Sequence, residues 1–327
     1  MDEFRTELQI KPSETKISLH HPFLTIGSCF ADSIGIKLRT SKFSVSINPF
    51  GSVYNPISIH KLILQTINKQ PLADNSYLQN ADTILNYNFH SEFNSTTKQE
   101  LEKNINDTIG QGHHFLRGTN CIIVTYGTAW VYERTDNNEV VANCHKMPSG
   151  LFKKNILTQK KIIESFGEMY RAIKLFNPEI RIIVTVSPVR HLKDTLELNS
   201  VSKSILRLSC HTLTELYNDV DYFPAYEILL DDLRDYRYYS SDLIHPTDFA
   251  IDYIWRKFCE KYFSKETKIV LHEWQEILKA LHHKPFQPAS SAHQKFLRET
   301  LKKLNELKSS VNVDTEITSV QSQLIKP

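Results

Sequence analysis

Two stretches carry the residue types best suited to chemistry. Gly27-Ser28-Cys29 interrupts an apolar run, Phe23-Leu24-Thr25-Ile26, just before Phe30, Ile34 and Leu38 recur at helical spacing. Far along the chain comes Asp242-Leu243-Ile244-His245-Pro246. A serine hydroxyl held at a strand-to-helix bend can attack a carbonyl once a base takes its proton. An acid three positions before a histidine can hold one imidazole nitrogen and leave the other facing outward. Pro246 disfavours a helical backbone at His245 and suits the first turn of a following helix. Ser28, His245 and Asp242 are therefore the candidate nucleophile, base and orienting acid. Backbone N–H groups of Ser28 and Gly51 are candidate donors to the oxyanion that such an attack creates. The plainer readings are a helix cap at Ser28 and an ordinary loop-to-helix junction at Asp242–His245. Cys29, next to the serine, must point elsewhere and reads as a small buried thiol.

Weaker candidates lie nearby. Arg190 and His191 follow an apolar run and suit a carboxylate, phosphate or sugar hydroxyl. Their plainer role is a structural pair with an acid such as Asp194 or Asp235. His90 and His145, with Asn143, are further possible cleft residues. Tyr236-Arg237-Tyr238-Tyr239 offers aromatic faces for a sugar ring, although packing is the commoner use. Cys144-His145 and His113-His114 lack the spacing of a metal site, so no metal and no cofactor are expected.

These residues need elements to position them. Short apolar runs at 23–26, 43–47, 121–125, 180–186 and 220–223 read as strands. Helical periods fill 30–40, 57–68, 98–116, 158–176, 201–217 and 246–263. Continuous apolar strands with helices between them predict a doubly wound parallel sheet covered on both faces. In such a sheet, ligands bind beyond the carboxyl ends of the strands. The candidates fall there: Gly27-Ser28-Cys29, Asn48-Pro49-Phe50-Gly51, Gly127-Thr128 and Ser187-Pro188-Val189-Arg190-His191 each follow a strand. Residues 70–95 read as loop, 127–132 as a possible continuing strand, and 136–139 as a hairpin tip. Helices near 266–282 and 292–307 follow, and the polar end reads as a frayed tail. The expected organisation is a catalytic domain over 1–265, a helical extension over 266–310 and a tail over 311–327.

The totals narrow the partners. The chain has 327 residues and a net charge of +2, which gives no general pull toward nucleic acid or anionic lipid. No apolar stretch approaches the ~20 residues of a membrane span. The N-terminal residues lack a basic start and apolar core, so no secretory signal is expected. Five scattered cysteines read as reduced thiols in a cytoplasm.

Gly27-Ser28-Cys29-Phe30-Ala31 resembles the signature of the GSCFA family, which is similar to a branch of the SGNH/GDSL hydrolase superfamily. The resemblance extends roughly from Lys16 to Phe263. It takes in the Asn48–Gly51, Thr125–Trp130, Val186–His191 and Asp242–Pro246 blocks. It implies a three-layer α/β/α sandwich with a flavodoxin-like sheet. It also implies that Ser28 is the nucleophile, that Gly51 supplies an oxyanion N–H, and that Asp242 and His245 form the acid–base block. The superfamily's Gly-x-Asn block has no counterpart, since Gly127-Thr128-Ala129-Trp130 lacks the asparagine. Thr128, through its hydroxyl or a backbone N–H, is the remaining candidate donor. The expectation is a serine acyl-esterase acting on a small acyl group, such as acetyl, on a carbohydrate or metabolite. An acyltransferase with the same triad and a non-catalytic ligand-binding protein are the competing expectations.

Overall fold

The computed structural model describes residues 6–325. They form two compact units: residues 6–9, 22–36 and 45–256, and residues 10–21, 37–44 and 257–325.

The elements follow in chain order. The first part holds β1 (Phe23–Gly27), α1 (Cys29–Thr40), β2 (Val45–Ile47), α2 (Pro56–Asn68), β3 (Tyr77–Asn80), β4 (Thr83–Asn86), β5 (Asn94–Ser95) and α3 (Lys98–Arg117). Next come β6 (Cys121–Tyr126), β7 (Trp130–Arg134), β8 (Val140–Val141), β9 (Phe152–Ile156), α4 (Gln159–Phe176), β10 (Arg181–Val186), α5 (Leu196–Leu216) and β11 (Val220–Tyr222). The chain ends with α6 (Ala225–Glu227), α7 (Asp248–Tyr262), α8 (Lys265–Leu281), α9 (Ser291–Leu307) and α10 (Asp314–Gln323).

The central sheet of the first unit runs β11-β10-β6-β1-β2, with every pairing parallel. Counted along the chain, its strands stand in the order 2-1-3-4-5, that of a flavodoxin-like sheet. Every residue of β1 and β6 is buried, as parallel strands covered on both faces require. Leu24, Ile26, Ile122, Val124, Ile182 and Val184 point to one face and join the core under α2–α5. On the other face, Gly35 of α1 lies against Thr25 and Ile47. The result is the expected three-layer α/β/α sandwich. The direction of winding reverses between β1 and β6, so the crevice for a ligand opens beyond their carboxyl ends.

Three expectations change. Residues 70–95 hold an antiparallel sheet, β3-β4-β5, rather than loop alone. Its strands are two to four residues long and rich in Asn, too short and polar to show alternation. The strand after Gly127 does not continue the central sheet. It starts anew as β7, in a separate antiparallel sheet β8-β7-β9, and residues 136–139 do form a hairpin tip. Part of the expected tail is helix α10, which packs on α9 in the second unit. Val313, Ile317 and Val320 bury a narrow apolar stripe there, too sparse to stand out from its polar neighbours. In the same unit, Trp274 donates its indole N–H to Thr40 O at 2.7 Å, and Lys42 pairs with Glu316 at 2.7 Å.

Candidate active site

Ser28 sits at the bend between β1 and α1, and the bend depends on glycine. Gly27 has a φ of +139°, and a Cβ there would fall 2.1 Å from Thr125 O on β6. Only a residue without a side chain lets the two strands approach so closely. Ser28 N–H then donates to Thr125 O at 3.1 Å, and Ser28 O accepts from Ala31 N–H at 2.7 Å as the helix begins. The residue is 1% exposed, and its Oγ has no hydrogen-bond partner. The hydroxyl therefore does not cap α1. Most buried polar atoms are paired, and an unpaired one costs about 1–3 kcal/mol.

The Asn48–Gly51 turn closes the bend from the β2 side. Asn48 Oδ1 accepts from Gly27 N–H at 2.8 Å, and its Nδ2 donates to Asp32 Oδ1 at 2.8 Å. Ser52 Oγ donates to the other Asp32 oxygen at 2.9 Å. Gly51 has a φ of +72°, and a Cβ there would lie 2.4 Å from His90 Cβ. Asp32 was not among the sequence candidates, and Asn48 entered only as part of the Asn48–Gly51 turn. Their signal is a polar pair facing the bend from the first turn of a helix and from the end of a strand.

The expected oxyanion donors are already engaged. Ser28 N–H is bonded to Thr125 O, and Gly51 N–H to Asn48 O at 2.8 Å. Gly127 and Thr128 N–H both donate to Tyr54 O, at 2.8 and 3.1 Å. Thr128 Oγ1 lies 3.1 Å from Ser202 Oγ and accepts from Trp130 N–H at 3.0 Å. Sheet register and turn closure thus use the very groups the motif offered, and no open hole is formed by them here.

The Asp242–His245 contact forms as its spacing predicts. Asp242 Oδ2 lies 2.7 Å from His245 Nδ1. Asp242 Oδ1 accepts from the N–H groups of Ile244 and His245 at 2.9 and 3.0 Å. The His245 bond, then these backbone bonds, lower the Asp242 carboxyl to about 2. Both side chains are about half exposed, and among the described residues no hydrogen bond reaches His245 Nε2. Leu243 takes a φ of +58° inside this turn. No hydrogen bond joins Ser28 to His245.

Arg190 packs against the Asp242–His245 turn and its aromatic neighbours. It stacks over Tyr239 at 4.0 Å and Tyr236 at 5.0 Å, and its Nη1 donates to Leu243 O at 3.4 Å. Its own N–H donates to Ile244 O at 3.2 Å, so it ties the Asp242–His245 turn to the end of β10. Neither suggested acid pairs with it: Asp194 pairs with Lys154, and Asp235 with Arg237. His145 is buried, with Nε2 2.8 Å from Asn86 O of β4. His90 lies against Gly51, with Nδ1 3.5 Å from Glu92. His191 meets Tyr54 edge-on at 6.1 Å and lines, with Asn143 and Thr128, a cavity of about 470 Å³. Cys29 is partly buried, and burial followed by Asp32 raises its thiol pKa. That environment favours the thiol over the nucleophilic thiolate.

Lys203 of α5 was also missed. It is 1% exposed and donates to Gly127 O at 2.8 Å and Ser187 O at 2.6 Å, joining the ends of β6 and β10. No carboxylate pairs with it among the described residues, and burial lowers its pKa to about 7. The signal was a lysine within the buried stripe Ser202, Leu206, Cys210 and Leu213. No group of residues suited to a metal ion occurs among the described residues. No described helix is long and apolar enough to cross a membrane.

Fold and site together define an α/β protein with a polar rim at the switch point of a flavodoxin-like sheet. The chain belongs to the GSCFA family, whose model matches residues 22–258. A second model, the C-terminal domain of GSCFA domain proteins, matches residues 274–326. No curated protein matches the chain. A solved structure from Streptococcus pneumonia, described provisionally as a platelet activating factor, aligns with 74% of this chain and 86% of its own. It is 11% identical, with a TM-score of 0.38.

Proposed function

We propose that this protein is a serine acyl-esterase of the SGNH/GDSL type, acting through Ser28, His245 and Asp242. The observation that carries the reading is the Ser28 hydroxyl: buried, unpaired, and set by a glycine bend at the switch point. A group kept in so costly a state without a structural bond calls for another use. His245 Nε2 takes the Ser28 proton as Oγ bonds to the ester carbonyl carbon. The same proton then passes to the leaving alcohol as its C–O bond breaks. Water, deprotonated by His245, attacks the acyl-enzyme; the carboxylic acid leaves and Ser28 regains its proton. Asp242 holds the imidazole tautomer and stabilises its charged form. The proposed substrate is a small acyl ester, such as an acetyl ester, of a carbohydrate or metabolite. An alcohol in place of water would make the same steps an acyl transfer.

The reading requires motion at the rim. Ser28 must become reachable, and the half-exposed His245 ring must swing onto it. Two N–H groups must exchange their internal carbonyls for the oxyanion. The engaged donors favour a second reading, a ligand-binding protein that keeps the cleft without turnover. A fluorophosphonate reagent and p-nitrophenyl acetate separate the two. The esterase reading expects labelling at Ser28, and turnover that falls at least about 10³-fold in Ser28→Ala. Unchanged turnover in Ser28→Ala excludes Ser28 as the nucleophile. Absence of both labelling and turnover in the native protein favours the binding reading.

A further inference from the structure

The cavity beside the rim has a chemistry of its own. Its volume, about 470 Å³, is that of a small-molecule site. Trp130, Tyr132, Phe152 and Met147 give it apolar walls, and it reaches the rim at Thr128 and Tyr54. Its charged lining is unbalanced. Lys146 and Lys193 have no carboxylate partner among the described residues, whereas the one lining acid, Asp194, is paired with Lys154. Lys154 Nζ lies 4.8 Å from the centre of the Trp130 ring, and Lys193 Nζ 5.9 Å from that of Tyr132. Burial, and then Lys203, Lys154 and Lys193, lower the His191 pKa. The unpaired Lys146 and Lys193 beside this half-buried imidazole mark a region of positive potential closed in by aromatic walls. Such a region binds poorly to neutral or cationic polar groups and well to an anion that brings its own apolar surface.

We infer that this cavity binds a small organic anion, an apolar or aromatic body ending in a carboxylate, with the anion held by Lys193. Resting on the esterase reading, this anion is the non-reacting arm of the substrate. The arm lies on the β7–β9 side of the rim, so it anchors the ester while the bond beside Ser28 reacts. Sequence motifs do not reveal it, because its walls come from the β8-β7-β9 sheet and its charge from two separate segments, Lys146 before β9 and Lys193 after β10.

The test is equilibrium binding to the full-length Ser28→Ala protein, which separates it from turnover. Titration calorimetry compares 4-phenylbutyrate, its neutral amide 4-phenylbutanamide, and acetate. The expected result is saturable binding of 4-phenylbutyrate, at least about fivefold tighter than the amide, the size of one ion pair near a surface. Acetate, lacking the body, binds at least about fivefold more weakly again. In Lys193→Met, whose substituted side chain is exposed, the preference for acid over amide collapses toward unity. Equal binding of acid and amide, a ratio unmoved by Lys193→Met, or no binding of 4-phenylbutyrate overturns the inference. Loss of ester turnover in the native protein, with this binding intact, overturns the esterase reading alone.

Discussion

At the scale of single residues, Ser28 separates structural from functional use. A capping serine lost to alanine destabilises by about 1 kcal/mol. Ser28 has no such bond, so Ser28→Ala removes an unpaired buried hydroxyl instead. The expected outcome is a melting temperature equal to or above that of the native protein, together with lost ester turnover. A lowered melting temperature shows that the hydroxyl supports the fold. Asp242→Asn keeps the shape of the turn but loses the acceptor that fixes His245. It is expected to lower kcat by about 10²–10⁴-fold in an ester assay while leaving measurable activity. A rate like that of native protein removes Asp242 from the mechanism. The Asp242–His245 contact was legible in the sequence because it is local, three residues apart and forced by a turn before proline. The surroundings of Ser28 were not legible. Its N–H is taken by Thr125 on another strand, and Lys203 reaches Gly127 across 76 positions of chain. The partners of Arg190 were hidden for the same reason: Tyr239 and Leu243 belong to a distant turn.

At the scale of elements, the switch point rests on how closely β1 meets β6. A side chain on Gly27 meets backbone, the Thr125 carbonyl, and backbone in a paired strand cannot turn aside. Gly27→Ala therefore combines a disfavoured φ with a hard clash and is expected to destabilise by about 3 kcal/mol or more. Gly51→Ala also combines a positive φ with a clash, against His90 Cβ, but His90 lies in a loop outside the paired central sheet and its backbone can shift, so the cost should be smaller. Urea unfolding of both variants checks the order; a Gly27→Ala protein as stable as Gly51→Ala would show that the bend does not need glycine. The parallel sheet was legible because its buried strands are nearly continuous apolar runs, each interrupted within by a single threonine. The insertions were not. β3, β4 and β5 are short and half exposed, and their identity comes from cross-strand pairing rather than from any period. α10 shows the converse limit, since two or three buried aliphatics suffice once a neighbouring helix lies beside them.

At the scale of the whole molecule, two buried bases set how stability follows pH. His60 lies between Ser165 Oγ at 3.0 Å and Tyr126 OH at 2.7 Å, and burial lowers its pKa to about 3. Between about pH 3 and 6.5 it is neutral when folded and charged when unfolded, so unfolding takes up a proton and acid destabilises the protein. Lys203 repeats this at higher pH. Its folded pKa near 7 lies below the unfolded value of 10.5, so unfolding takes up a proton between those limits. Stability from this group is therefore least below pH 7 and rises as pH climbs toward 10.5, by up to about 1.4 kcal/mol per pH unit. The neutral amine keeps two N–H groups, enough for both Gly127 O and Ser187 O, so deprotonation need not break the bridge between β6 and β10. Lys203→Met loses the bridge and the proton linkage together. Urea unfolding of native and variant proteins from pH 7 to pH 10 isolates the linkage, because other titrating groups are common to both. The native protein should gain stability relative to Lys203→Met across that range. Two parallel curves would mean that Lys203 carries the same protonation folded and unfolded, and that its charge is retained beneath the rim.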